Sequence, residues 1–314
     1  MSVYTSLNQA QIQQFITPYG LTELNSFSGI SAGIENTNYR LNTEQGDFIL
    51  TVYEHFNVTE AAGYIHLLQQ LNEHEAYYPT VLVAAQQQVL GFLSNKPAAL
   101  FKCLPGQSVN TPSLKQCQLI ASALARLHIS SSSLKFSKQN PTSLKHLQAR
   151  LQQFKSQLAL QDLELLEDEL NYQFNQKVDA LERGVIHADL FKDNALFVGN
   201  HLTGVLDFYA ACNDCYLLDT AIAMNDWCTD EQGVFQQDKQ ACFLRAYQSV
   251  RVMSDNELEM LPVFLRRASL RFWISRLEHR FTSRQGDMTQ DKNPDEFKNL
   301  LLQHRDAVVN AMPA

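Results

Sequence analysis

Two different spacings of apolar residues divide the chain near residue 104. Before that point apolar and polar positions alternate, as in strands, and a turn at 44–46 joins the first two strands. The strand-like segments are 27–41, 47–53, 81–84 and 98–103. One helix, capped by Ser6 and ended by Pro18 and Gly20, is expected before them, and another is expected to begin at Thr59. The N-terminal part therefore predicts a small antiparallel sheet with accompanying helices.

The Leu-Pro-Gly sequence at 104–106 breaks the strand pattern, and from Ser113 onward apolar residues recur every three or four positions. This spacing is typical of amphipathic helices. The helical segments are 114–128, 143–158, 162–181, 217–228, 235–250 and a long one that follows a capping box at 254–257 and extends to 281. An acidic run at 164–169 is expected to face solvent. The pattern predicts an α+β protein with an N-terminal lobe over 1–103 and a mainly helical lobe over 104–314.

Three polar residues, Asp189, Asn194 and Asp207, interrupt short apolar runs that are typical of buried strands. The runs are 185–186, 195–198 and 204–206. The spacing His-x-Asp-x-x-x-x-Asn, followed by a second Asp, is that of kinase-type phosphoryl-transfer enzymes. In those enzymes the first Asp accepts the proton of the attacking hydroxyl, and the Asn and the last Asp bind Mg²⁺, a cation that prefers oxygen ligands. A β-hairpin whose Asp and Asn cap turns is the alternative interpretation.

Composition narrows the class of protein. Apolar residues make up 45% and charged residues 18% of the 314 residues, as in an ordinary globular protein. No apolar run approaches the roughly 20 residues of a membrane span, so no membrane partner is expected. A net charge of −8 with scattered Lys and Arg argues against nucleic acid as the main partner. The N-terminus lacks a basic segment followed by an apolar one, so we expect no signal peptide and a cytoplasmic location.

Six dispersed cysteines are expected to be buried free thiols, as in a reducing compartment. Two of them, Cys212 and Cys215, form a C-x-x-C pair. A structural zinc site needs a second pair, and a redox site needs a thioredoxin-like context. Neither accompanies this pair, so metal or redox chemistry is not expected there.

The predicted sheet offers a place for a nucleotide. Its first turn, at 31–38, holds small and amide residues around a glycine, and backbone N–H groups in such a turn can approach phosphate oxygens. An ordinary hairpin loop is the alternative. Backbone groups of the connector at 101–103 are candidates for an adenine edge. The candidate nucleotide-binding residues are Ser31, Gly33, Asn36, Asn38, Thr51, Phe101 and Cys103.

Sequence blocks from about residue 27 to residue 305 carry a family resemblance. Together with HADLFKDN at 187–194, they are GIENTNY at 33–39, FILTVYE at 48–54, LPG at 104–106, ARLH at 125–128, DFYAACND at 207–214 and LRRASLRFWISRL at 265–277. The chain resembles the homoserine kinase branch of the aminoglycoside phosphotransferase and choline kinase superfamily. The resemblance implies a two-lobed protein kinase-like fold with ATP and Mg²⁺ between the lobes. It also implies phosphorylation of the side-chain hydroxyl of L-homoserine, a reaction of threonine biosynthesis.

Carried over by position, the resemblance implies that Asp189 is the catalytic base and that Asn194 and Asp207 are magnesium ligands. It also implies that 31–38 lies over the ATP phosphates. Thr51 stands where the general kinase pattern has a Lys or Arg facing the α- and β-phosphates, and its lack of charge leaves open how the phosphates are held. The glutamate that partners this position is either Glu54 or Glu60, and the sequence does not decide between them.

Homoserine carries an ammonium, a carboxylate and the attacking hydroxyl, so its site should offer an acidic or aromatic group and a basic one. Asp214 or Tyr209 is a candidate for the ammonium, beside Asp189 at the hydroxyl. Arg266, Arg267 or Arg271 is a candidate for the carboxylate. The alternative is that these arginines form the solvent face of a helix.

Two other functions remain open. The first is another small-molecule kinase of the superfamily, with choline, ethanolamine or an aminoglycoside as substrate. The second is a nucleotide-binding module without catalysis, which Thr51 makes worth considering.

Asp219 opens an apolar helix and is expected to cap it and to brace the catalytic loop. The oligomeric state is not determined by these patterns.

Overall fold

A computed structural model describes residues 4–30, 36–282 and 292–311. The chain divides into two compact units. The first holds the described residues up to Gly106 together with 203–209, and the second holds the rest of the described residues. Among the described helices, none combines the length and the apolar character that crossing a membrane requires.

The first unit is built on a five-stranded antiparallel sheet with the strand order β1-β2-β3-β5-β4. Its elements are α1 (Gln9–Ile16), β1 (Leu24–Ile30), β2 (Thr37–Thr43), β3 (Gly46–Val52), α2 (Val58–Asn72), β4 (Gly91–Leu93) and β5 (Lys96–Lys102). Alternate residues of β2 are buried, as the period of two requires. Ile12 and Ile16 of α1 share a core with Leu41, Leu50 and Leu100 of the sheet. This burial holds the strand ends on which Asn38 and Thr51 lie.

Several predicted boundaries in this unit were wrong. The first helix is capped by Asn8, not Ser6, because Asn8 and Gln11 form a reciprocal capping box. The second helix begins one residue before Thr59, at Val58, with Asn57 as its cap. The segment 81–84 forms only one bridge, from Val81 to Phe101, and the strand at Gly91–Leu93 was not predicted. The turn at 44–46 was predicted correctly, since β2 and β3 pair down to Thr43 and Gly46.

The second unit is mainly helical. Its elements are α3 (Leu114–Ser130), α4 (Leu144–Phe154), α5 (Leu160–Phe174), β6 (Arg183–Ile186), β7 (Ala195–Val198), β8 (His201–Val205, which runs into the first unit), β9 (Cys212–Cys215), α6 (Tyr216–Trp227), α7 (Gln237–Gln248), α8 (Asp255–Thr282) and α9 (Asp295–Ala311). The two short strands β6 and β9 pair antiparallel, with Ile186 opposite Cys212. Because β9 leads directly into α6, this pairing brings the first turn of α6 beside the end of β6.

The long helix α8 packs against α6 and α9, and Trp227 and Trp273 are fully buried in this unit. Its start follows the predicted capping box, in which Ser254 and Glu257 exchange side-chain and backbone hydrogen bonds. The expectation that the acidic run at 164–169 faces solvent was wrong for Glu169, which is fully buried. Helix α9 and strand β9 were not predicted.

Candidate active site

The loop that follows β6 is anchored through its backbone to one buried carboxylate. Asp219 is fully buried in the first turn of α6. Its Oδ2 accepts a hydrogen bond from His187 N and its Oδ1 accepts one from Ala188 N, both at 2.7 Å. The helix cap is Cys215, so the expectation that Asp219 is an N-cap was wrong. Its expected bracing role is confirmed by these two bonds.

A buried histidine completes the environment of Asp219. His128 Nε2 lies 3.1 Å from Asp219 Oδ2, and His128 Nδ1 lies 2.6 Å from the Tyr247 hydroxyl. Burial lowers the pKa of His128 in spite of the neighbouring carboxylate, so the ring is neutral, donates from Nε2 and accepts at Nδ1. Burial alone would raise the pKa of Asp219, but the hydrogen bonds from His128 and from the loop backbone outweigh it and lower that pKa. Asp219 therefore remains a charged acceptor.

The structure brings Asp189 and Asn194 together. The Asn194 amide donates from Nδ2 to the Asp189 carbonyl at 2.8 Å and to Asp189 Oδ2 at 3.2 Å. On the other side, Asp189 N donates to His187 Nδ1 at 3.2 Å. A 3₁₀ turn at Lys192–Asn194 makes this contact possible, because it folds Asn194 back over the start of the loop. The Asp189 carboxylate is thus oriented by a side chain five positions later.

Ala188, the residue before Asp189, has a left-handed backbone conformation with φ +66°. This conformation is unfavourable for a residue with a Cβ and persists where the surroundings impose it. Asp219 binds the N–H of Ala188, and Arg271 Nη1 donates to its carbonyl at 2.7 Å. Two buried charged groups from α6 and α8 therefore hold the peptides on both sides of Ala188 in place.

A cavity of about 350 Å³ in the second unit adjoins this loop through Arg271. Asp214, Arg267 and Arg271 are among the residues that line it. Asp214 accepts hydrogen bonds from Asn140 Nδ2 at 2.6 Å, from its neighbour Cys215 N at 2.7 Å and from Arg183 at 3.2 Å. A group carrying both an ammonium and a carboxylate would find opposite charges in this cavity.

Arg266 does not line this cavity. Its guanidinium forms a two-pronged ion pair with buried Glu169 of α5, with Nη2 at 2.5 Å from Oε2 and Nε at 3.0 Å from Oε1. It also stacks on Tyr172 at 3.6 Å. The prediction that Arg266 binds substrate is corrected on this ground, because its charge is already neutralised inside the protein. Arg266 and Arg271 are buried, so the alternative that these residues form a solvent face is also wrong for them.

Tyr209 and Asp207 belong to the first unit. Tyr209 packs among the rings of Tyr53, Phe56 and Tyr64, with centroids 5.6 to 5.8 Å away. Burial is the main reason that the pKa of Tyr209 is raised, and the charge of Asp207 adds to it. The structure gives Tyr209 an aromatic packing role, and it does not line the cavity that contains Asp214. Asp207 follows β8 and has a left-handed conformation with φ +60°.

The residues predicted to bind the nucleotide are only partly included in the described residues. Ser31 and Gly33 lie outside the described residues. Thr51 Oγ1 donates to Asn38 Oδ1 at 2.7 Å, and Asn36 Oδ1 accepts from Glu54 N at 3.2 Å. These contacts join the beginning of β2 to the end of β3.

The prediction for the connector at 101–103 needs a correction. Phe101 is buried in β5 between Ile49 and Val81. Cys103 N already donates to Asp47 O at 3.1 Å, so this N–H is not available to an adenine edge. Strand β5 begins two residues before the predicted strand and ends at Lys102, one residue before the predicted end.

Glu54 and Glu60 differ in their partners. Glu54 forms an ion pair with Lys96 of β5 and accepts hydrogen bonds from the hydroxyls of Thr5 and Thr37. Glu60 completes the capping box of α2. Of the two glutamates, Glu54 is therefore the one that pairs with a cation.

Five of the six cysteines are buried, as expected, whereas Cys103 is half-buried. All six cysteines are free, and burial raises the pKa of Cys212 and Cys215 to about 12 each. The described residues contain no cluster of His, Cys, Asp and Glu suited to holding a metal ion by itself. The sequence did not indicate Asn140 as a partner of Asp214, because a single polar residue in a polar loop gives no periodic signal.

Comparisons with known proteins identify the family of this chain. The model of the phosphotransferase enzyme family matches residues 26–253. A homoserine kinase of Methylobacillus glycogenes is 38% identical over 301 residues, which is 96% of this chain and 95% of that protein. Amicoumacin kinase in complex with AMP-PNP, Ca²⁺ and its ligand has a TM-score of 0.70 at 15% identity, covering 98% of this chain and 95% of the other. A choline kinase of Cryptosporidium parvum has a TM-score of 0.63 at 14% identity, covering 91% and 90%.

The two structural similarities are below 25% identity and establish the fold alone, which confirms the predicted kinase-like class. The sequence similarity spans nearly the full length of a homoserine kinase and is more than twice as high in identity. The alternative of a choline kinase is therefore not favoured. The chain belongs to the phosphotransferase enzyme family and, within it, to the homoserine kinases.

Proposed function

We propose that the protein transfers the γ-phosphoryl group of ATP to the side-chain hydroxyl of L-homoserine, with O-phospho-L-homoserine and ADP as products. The family relationship supports this reaction. The observation that carries it is the held position of Asp189, whose carboxylate is oriented by Asn194 on a loop anchored by Asp219. In kinase-type enzymes most catalysis comes from such positioning and from charge stabilisation.

Asp189 would accept the proton of the substrate hydroxyl as the oxygen attacks phosphorus. A general base needs a fixed direction as well as charge. The Asn194 amide donates to one carboxylate oxygen, Oδ2, and leaves Oδ1 outside this contact. Asp219 on the Ala188 N–H and Arg271 on the Ala188 carbonyl would limit movement of the base while the proton is transferred.

Asn194 and Asp207 are the proposed Mg²⁺ ligands. The fit rests on the chemistry of the donors: an amide oxygen and a carboxylate are the hard ligands that Mg²⁺ takes. Asn194 uses its Nδ2 on Asp189, so its Oδ1 faces the opposite side of the amide. Bound Mg²⁺ would neutralise charge on the phosphate oxygens.

For the nucleotide, Asn36, Asn38 and Thr51 remain candidates, together with Ser31 and Gly33. The hydrogen bond from Thr51 to Asn38 supports this choice, because it fixes the amide at the beginning of β2. A location in the cytoplasm is proposed on the ground that all six cysteines are free thiols.

A substrate panel with ATP-turnover readout tests the reaction. L-Homoserine should be turned over in preference to choline, ethanolamine and an aminoglycoside, with phosphohomoserine as the detected product. Equal or better turnover of choline would overturn the proposed acceptor. ATP binding without transfer to any acceptor would favour a nucleotide-binding module.

The variant Asp189→Asn tests the base. It should lower kcat by about 10² or more while ATP still binds, because general base catalysis typically contributes about 10² to 10⁴. Asp193→Asn in the same loop is the matched control, since Asp193 is exposed and pairs only with Lys292 among the described contacts. Full activity of Asp189→Asn would contradict the role given to Asp189.

A further inference from the structure

The cavity beside the loop at 187–194, which we call the catalytic loop, has an excess of positive charge. Arg267 and Arg271 are four residues apart on α8, so they project from the same side of the helix. Arg183 and Lys145 also line the cavity, whereas Asp214 is its acidic lining residue. Four cationic side chains around one carboxylate leave the cavity suited to an anionic group.

Arg271 has capacity for a further acceptor. Arg271 is only 6% exposed, and its Nη1 donates a hydrogen bond to the Ala188 carbonyl. Its buried Nε has no hydrogen-bond partner among the described residues. No carboxylate of the described residues forms an ion pair with it, in contrast to Arg266 and Glu169. A buried guanidinium with an unused N–H is costly unless a ligand satisfies it.

Asp214 offers the complementary charge. Its Oδ1 accepts from Cys215 N and from Arg183, whereas its Oδ2 accepts from Asn140. A carboxylate provides about four acceptor positions, so Oδ2 retains capacity for an ammonium. Asn140 lies at 7% exposure and orients this oxygen.

We propose that this cavity binds the α-carboxylate and the α-ammonium of the phosphoryl acceptor, with Arg271 and Arg267 on the carboxylate and Asp214, held by Asn140, on the ammonium. The inference rests on the proposed function and specifies how an α-amino acid is selected. Two charged contacts and the hydroxyl at Asp189 make three points of attachment, so the site distinguishes the two enantiomers of the acceptor. Arg271 has a second effect as a positioning residue, because one guanidinium contacts both the ligand and the peptide before Asp189.

Two substrate analogues isolate the two contacts. The compound 3-aminopropan-1-ol is homoserine without its carboxylate, and 4-hydroxybutanoate is homoserine without its ammonium. The measured quantity is the preference for L-homoserine over each analogue, as a ratio of kcat/KM values. This ratio cancels any effect of a substitution on folding or on the catalytic loop, since both compounds use the same hydroxyl and the same base.

Arg271→Gln and Arg267→Gln test the carboxylate contact. Each should reduce the preference for L-homoserine over 3-aminopropan-1-ol by about 10- to 150-fold, the range for a hydrogen bond to a charged group. The preference over 4-hydroxybutanoate should change little, because that analogue keeps its carboxylate. Arg280→Gln, an exposed arginine of the same helix, is the matched control and should leave both ratios unchanged.

Asp214→Asn tests the ammonium contact. It should reduce the preference over 4-hydroxybutanoate by a similar factor and leave the preference over 3-aminopropan-1-ol nearly intact. An equal loss of activity on all three compounds, or unchanged ratios, in the variants of Arg271 and Asp214 would overturn the assignment, because a purely structural role affects every acceptor alike.

Calorimetric titration with L-homoserine separates this inference from the proposed reaction. If the wild-type protein binds L-homoserine but forms no phosphohomoserine, and Arg271→Gln loses the binding, the site stands and the reaction does not. If the wild type forms phosphohomoserine with unchanged selectivity in the variants, the reaction stands and the site is wrong. If it neither binds nor phosphorylates L-homoserine, both are wrong.

Discussion

Asp219→Asn is a nearly isosteric change at the centre of the loop anchor. The carboxylate accepts hydrogen bonds from His187 N, Ala188 N and His128 Nε2 at 2.7, 2.7 and 3.1 Å. An asparagine has one oxygen in place of two. In either orientation its NH₂ group faces a buried donor, either Ala188 N–H or the pair formed by His187 N–H and His128. The substitution therefore removes at least one hydrogen bond and brings two donors together.

The magnitude follows from these bonds. A hydrogen bond to a charged group contributes about 1.5 to 3 kcal/mol, and a buried donor left without a partner costs about 1 to 3 kcal/mol. We expect Asp219→Asn to lower the free energy of unfolding by about 3 to 5 kcal/mol. A domain with a typical stability of about 5 to 15 kcal/mol would remain folded at low temperature. In the folded enzyme, loss of one anchor of the left-handed Ala188 should displace Asp189 and lower kcat by about 10- to 100-fold.

Urea unfolding followed by tryptophan fluorescence, together with kcat measured well below the melting temperature, checks both effects. The control is Asp226→Asn in the same helix. Asp226 accepts from one backbone donor, Lys192 N at 2.6 Å, and an asparagine can turn its oxygen toward that donor. Its ion pair with the Lys192 ammonium spans 3.6 Å and is partly exposed, so the expected loss is about 1 kcal/mol or less.

The comparison between the two variants decides the matter. If Asp219→Asn is destabilised by no more than Asp226→Asn and retains full kcat, the carboxylate does not hold the catalytic loop. A stable variant with reduced kcat would retain the positioning role but contradict the magnitude derived from buried donors.

Three further predictions concern stability. Burial lowers the pKa of His304 to about 4, from about 6.5 in the unfolded chain. The contribution of neutral His304 to the free energy of unfolding is therefore complete above pH 6.5 and falls by about 3 kcal/mol as the pH drops toward 4. His304→Gln should flatten the pH dependence of the free energy of unfolding over this range, and an unchanged slope would contradict the assignment. Arg266→Met should cost about 3 kcal/mol, because it leaves the buried charge of Glu169 with only the more distant Arg305, at 3.5 Å, as an ion-pair partner. An increase in KM for L-homoserine with unchanged stability would instead return Arg266 to the substrate site. Gly184→Ala should lower the free energy of unfolding by about 1 to 3 kcal/mol, because the new methyl group would overlap the Tyr216 hydroxyl. An unchanged melting temperature would show that this hydroxyl moves away without cost.

Local features of this protein were determined by the sequence. The alternation of apolar residues specified β2 and β3, and the three-to-four spacing specified α3, α6 and α8, because burial of one face requires these periods. Asp189 and Asn194 are only five residues apart, so a single turn brings them into contact. Their chemistry and spacing were therefore sufficient to predict a phosphoryl-transfer loop.

The partners of the arginines on α8 were decided by tertiary structure. Arg266 and Arg271 are five residues apart, which places them about 140° apart around a helix. One faces Glu169 of α5, and the other faces the carbonyl of Ala188. The sequence shows that the two side chains point in different directions, but only the packing of α5 and the catalytic loop around α8 determines which one is neutralised.

The anchor of the catalytic loop has the same origin. Asp219 is about thirty positions from the backbone groups that it binds, and His128 is 91 positions from Asp219. No local pattern encodes such a contact. It forms because β9 pairs with β6 and delivers the first turn of α6 to the loop, where burial makes each polar group find a partner. The sequence by itself indicated which groups are candidates for the chemistry, and the tertiary structure decided what holds them in place.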